Sequence, residues 1–97
     1  MLSWLRKDKK PEIASEKIKP LMLEVSSRLG QEWISGGHIA VDQLDGKPVP
    51  VVSFVTNDGI HELLLGDEYS VVISAKDDKE VARFTDITRM AILKYSP

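Results

Sequence analysis

Between residues 38 and 86 the chain is written as short aliphatic runs cut by polar turn residues, and few folds accommodate that pattern. The run 49–56 ends at Asn57-Asp58-Gly59, and 60–65 ends at Gly66-Asp67-Glu68. The run 69–75 ends at Lys76-Asp77-Asp78-Lys79, and 80–85 follows. β-Branched and aromatic runs joined by tight polar turns predict an antiparallel meander. Residues 38–44 add a half-buried strand, and Asp45-Gly46 is a hairpin signal. Pro48 and Pro50 cannot donate to a ladder, so the next strand should begin at an edge or before pairing starts.

Turn chemistry also suggests registers. With Asp58-Gly59 as a two-residue loop, Phe54 faces Leu63 and Val52 faces Leu65, with Thr56 and His61 at the margin of that face. The opposite face then holds Val51, Ser53, Val55, Glu62 and Leu64. With Asp77-Asp78 as the next loop, Val71 pairs with Phe84 and Ile73 with Ala82.

Upstream, Ala14, Ile18, Leu21, Met22, Val25 and Leu29 recur at spacings of three and four, the stripe of an amphipathic helix. A helix from about 12 to about 30 is expected. Pro20 interrupts it, either as a kink or as the first-turn residue of a helix that starts there. Gly30 can cap its end, although Trp33 continues the i, i+4 row towards Gly36-Gly37. Downstream, Thr85 or Asp86 can cap a short helix through Ile87, Met90, Ala91 and Lys94. The expected fold class is therefore α+β. An N-terminal helix packs on an antiparallel meander of four to five strands, with a short C-terminal helix.

The chain has 97 residues, which is one domain, here 11–97, preceded by a segment 1–10 expected to be flexible. It has no cysteine, which removes disulfides, thiolate catalysis and cysteine-ligated metals. Residues 1–19 carry six basic side chains against three acidic ones, and the rest carries seven against twelve. An acidic body repels a phosphate backbone, so nucleic acid is not an expected partner. Met1-Leu2-Ser3-Trp4-Leu5 followed by Arg6-Lys7 could touch an anionic membrane, but three apolar side chains bury little area. Membrane contact is not expected, and the reading is cytoplasmic.

The sequence carries few residues in chemically suggestive patterns. His38 and His61 show no metal-ligand spacing, and both read as surface or margin histidines. No serine lies in a nucleophile elbow, and Gly36-Gly37 lacks any phosphate-binding fingerprint. No catalytic residue, metal site or cofactor is assigned. The acids Asp67, Glu68, Asp77 and Asp78 suit solvated turns, yet they could also steer the protein toward a basic partner. Val51, Val55 and Leu64 are more aliphatic than a solvated sheet face needs, and Trp33 is a further apolar candidate. They are either core or a surface for a partner or a second copy, and unpaired sheet edges offer strand addition. The leading expectation is a small, acidic, non-catalytic protein-binding module, of the inhibitor, immunity-factor, adaptor or chaperone kind. The alternatives are a ligand or enzyme site near His61, Thr56 and Gly37, or a membrane-proximal protein held by residues 1–10.

Overall fold

In the computed structural model, which describes residues 15–89, α1 (Ser15–Arg28) precedes five strands. These are β1 (Trp33–Leu44), β2 (Lys47–Thr56), β3 (Gly59–Leu65), β4 (Ser70–Ser74) and β5 (Lys79–Phe84). They form one antiparallel sheet in sequence order, the expected meander at its full five strands. The expected segment 1–10 and residues 90–97 of the expected C-terminal helix lie outside the described residues. Within the part of that tail that is described, Ile87 is buried in the main core, and the Arg89 N–H donates to the Gly66 carbonyl at 2.8 Å.

The stripe of α1 buries Leu21, Met22 and Val25 against Val52, Phe54, Leu63, Leu65 and Val72. Each of these large side chains contributes about 1.5–3 kcal/mol by leaving water. Pro20 lies inside the helix with its ring exposed, so it deletes one helical donor without costing core packing. The helix is closed at Gly30, two residues past its last turn. The Gln31 N–H donates to the Ser26 carbonyl at 2.9 Å and the Gly30 N–H to the Ser27 carbonyl at 3.0 Å, with Gly30 at φ +72°. This left-handed closure releases the chain, so residues 33–35 start β1 instead of extending the helix.

Gly36-Gly37 is neither a helix stop nor an anion nest. The β1–β2 register shifts on either side of Gly36, leaving Gly37 between the pairs Gly36–Phe54 and His38–Ser53. A Cβ on Gly36 would come within 2.5 Å of the Phe54 Cα, and one on Gly37 within 2.6 Å of the Ile18 side chain. The glycines let the sheet fold tightly under the helix.

At the first hairpin, Asp45 (φ 55°) and Gly46 (φ 78°) form the two-residue loop that their chemistry predicts. The prolines follow expectation too. Pro48 and Pro50 pair with β1, while the β3 ladder begins only at Val51, so on that side no bond is lost.

The second hairpin corrects the predicted register. Its loop is Asn57-Asp58, Thr56 faces Gly59, and Phe54 faces His61 instead of Leu63. The positive φ falls on Gly59, after the loop rather than within it. A two-residue slip preserves facing, so Val52, Phe54, Leu63 and Leu65 still share the helix side.

The last hairpin is corrected more deeply. Val72 pairs with Ala82 and Ser70 with Phe84, and a shift beyond Val72 leaves Val81 out of register. Val72 therefore faces the helix. Val71 and Ile73, expected opposite Phe84 and Ala82, pair with Arg83 and Glu80 instead and lie on the opposite face.

Candidate functional site

On the face away from α1, Val49, Val51 and Leu64 form a second apolar cluster, flanked by Leu44 and Ile73. Val51 and Leu64 are direct cross-strand partners, 4% and 3% exposed. They are core, and Val55 beside them is half-buried, so the three do not make an exposed apolar patch. Trp33 is also partly buried against the main core, with its indole Nε1 out of solvent. Its neighbour Ile34, 58% exposed, is the one displayed.

The acidic turns are separated as well. Asp67 and Glu68 precede β4 and Asp77 and Asp78 follow it, so five strand residues, roughly 17 Å, lie between them. Asp77 and Asp78 serve the backbone. The Asp78 N–H donates to the Ser74 carbonyl at 2.8 Å, and Asp77 accepts from the Lys79 N–H at 3.3 Å. Asp78 takes the left-handed conformation (φ 59°) that short acidic residues tolerate.

Asp67 and Glu68 are placed differently. They border a cleft of about 230 Å³ with Leu44, Asp45, Lys47, Val49, Gly66 and Tyr69. Two loops make it: the β1–β2 turn and the β3–β4 connection. Gly66 permits their approach, because a Cβ there would meet the Tyr69 carbonyl and the Leu44 side chain. The Tyr69 hydroxyl donates to the Asp45 carboxylate and ties the loops together. Behind it, the Arg83 guanidinium lies 4.4 Å from the Tyr69 ring centroid and pairs with Glu80 at 3.0 Å. A strap therefore runs from β5 through Arg83 and Tyr69 to Asp45. The hydrogen bond to Asp45, with some desolvation, raises the Tyr69 pKa, and the bond from Arg83 lowers that of Glu80. Asp67 makes a long ion pair with Arg89, 3.9 Å. The cleft thus has an apolar floor of Leu44 and Val49 and three carboxylates around it, against Lys47 in its wall. Its volume falls below the roughly 300 Å³ at which small-molecule pockets begin. Among the described residues, no group of three or more metal-ligating side chains is placed to hold an ion.

His61 is neither at the surface nor at a margin. It is fully buried, with its ring stacked on Phe54 at 5.5 Å between centroids and 22° between planes. Nδ1 lies 3.1 Å from the Gly59 carbonyl, which can only accept, so Nδ1 carries the proton. Nε2 is buried with no protein hydrogen-bond partner. Thr56 donates to Gln31 at 2.6 Å and accepts from the Asp58 N–H at 3.0 Å, and so braces the turn. Gly36, Phe54 and His61 form one row across three strands, which sets the Phe54 strand between Gly37 and His61. The residues suggested for an enzyme site are therefore core and turn supports. The cleft lies at the opposite end of β3.

Sequence reasoning singled out Asp67 and Glu68 but missed Asp45 and Tyr69 as their neighbours. Those two are 24 positions apart, and nothing local signals their contact. Compared with known proteins, the chain matches no family model, no curated protein and no solved structure. No helix among the described residues is long and apolar enough to cross a membrane.

Proposed function

We propose that this chain is a non-catalytic protein-binding module whose cleft between the β1–β2 turn and the β3–β4 connection receives a basic side chain of a partner protein. The observation that carries the reading is the joining of Asp45, Asp67 and Glu68 around the apolar floor of Leu44 and Val49. A lysine or arginine stem packs on such a floor while its charged head meets carboxylates at the rim. The cleft's size suits one side chain better than a free metabolite. The tie from Tyr69 to Asp45 holds the walls in place before binding, which lowers the ordering cost of association.

The test is affinity capture from the native lysate with three baits: the intact chain, Asp67→Lys/Glu68→Lys, and Asp77→Lys/Asp78→Lys. A protein retained by the first and third baits and lost from the second is the expected result. Equal retention on all three, or loss only from the third, contradicts the cleft as the binding site.

A further inference from the structure

The two outer edges of the sheet differ in how they are protected. The β5 edge carries Lys79, Glu80 and Arg83 and is bent by the register shift near Val81, devices that discourage strand addition. β1 is irregular only at its start. From His38 to Leu44 it pairs with β2 without a break, and in that stretch it carries no lysine or proline and a single acid, Asp42. Among the described residues, no strand pairs with its outer side.

We propose that this edge is a homodimer interface, in which residues 38–42 of two copies pair antiparallel about a two-fold axis at Ala40. The sequence there complements itself. Ile39 and Val41 share the helix side of β1, since they oppose Val52 and Pro50, whereas His38, Ala40 and Asp42 lie on the other face. Centring on Ala40 sets Ile39 against the partner's Val41 and His38 against the partner's Asp42. Moving the axis to Val41 instead sets Ile39 against the partner's Gln43 and Asp42 against the partner's Ala40, losing both matches. Val41 is 51% exposed beside Ile39, which packs on the main core, so joining the copies continues that core across the seam. Asp42 accepts from the Gln43 N–H at 2.7 Å through one oxygen, and its other oxygen is the one offered to the imidazole. The joined sheet has ten strands with both helices on one side, an isologous contact of the commonest kind.

Sedimentation equilibrium of the intact chain over a range of concentrations tests this. A reversible monomer–dimer equilibrium is expected. Asp42→Lys breaks two symmetry-related pairs and weakens the dimer about tenfold, as does Val41→Lys. Combining His38→Asp with Asp42→Lys restores the pairs with donor and acceptor exchanged and returns the affinity to near that of the original chain. Circular dichroism confirms that each variant is folded, as expected for substitutions at exposed positions. A chain that stays monomeric throughout overturns the proposal. So does a dimer indifferent to Asp42→Lys and Val41→Lys, or one that the double exchange fails to restore.

Discussion

Phe54 and His61 oppose each other across β2 and β3 with their rings stacked, and this pair sets the centre of the helix-side core. The imidazole occupies the place of an apolar side chain and leaves Nε2 without a protein partner. Replacing it by a leucine removes a polar group whose burial is not fully repaid. His61→Leu is therefore expected to hold or raise stability, by up to about 2 kcal/mol, whereas His61→Ala opens a cavity and costs about 2–4 kcal/mol. Urea denaturation separates the two. A loss above 2 kcal/mol for His61→Leu would show that Nε2 has a stabilising role.

Gly36 and Gly46 both have positive φ, but only Gly36 lacks room for a Cβ. Gly46→Ala is expected to cost about 1–2 kcal/mol, the penalty of the left-handed conformation alone. Gly36→Ala adds a backbone collision with Phe54 and is expected to cost distinctly more, with a lower thermal midpoint. Equal costs at the two positions would mean that the tight fold of β1 over β2 is not needed.

Arg28 grips Asp86 through two parallel hydrogen bonds, 2.8 and 2.7 Å, tying the end of α1 to the chain after β5. That grip lowers the Asp86 pKa below the ordinary aspartate value. A carboxyl depressed in the folded state stabilises the fold above its unfolded pKa of about 3.9 and stops doing so as pH falls through its folded value. Stability measured from about pH 5 down to about pH 2, a window that spans the aspartate range, should fall less steeply for Asp86→Asn than for the parent chain. Parallel curves would contradict the tie.

Tyr69 shifts in the other direction. Its hydrogen bond to Asp45 raises its pKa, so it stabilises the fold below the ordinary tyrosine value near 10 and loses that effect as pH rises through its folded value. With two tyrosines in the chain, phenolate absorbance should show one group ionising late, and Tyr69→Phe should abolish the late step. Asp45→Asn should bring it forward. A late step that survives Tyr69→Phe would place it elsewhere.

The meander was legible because turn residues and alternation act locally. Asp45-Gly46 marks its own turn, and the alternation of 51–56 fixes which side chains face the helix even where the pairing slips by two. Local signals mislead where they conflict or are silent. Val71, Val72 and Ile73 are all aliphatic, so no alternation anchors β4, and the irregularity at Val81 inverts a face assigned by counting from the loop. Trp33 extends a helical row, yet the closure at Gly30 overrides it. His61 looks marginal because it is polar and close to a turn, but the tight loop carries it under the helix. The cleft depends on Asp45 meeting Tyr69 across two loops, which only the folded sheet brings together.

Residue-resolved NMR shows whether a partner is read at the cleft between the β1–β2 turn and the β3–β4 connection. The isotope-labelled chain is titrated with the protein that it captures, and amide shifts are followed. The expected changes centre on residues 44–47 and 66–69, with the 75–78 loop and the His61 end of the sheet unmoved. Changes centred instead on the 75–78 loop or on 56–61 would overturn the cleft as the binding site.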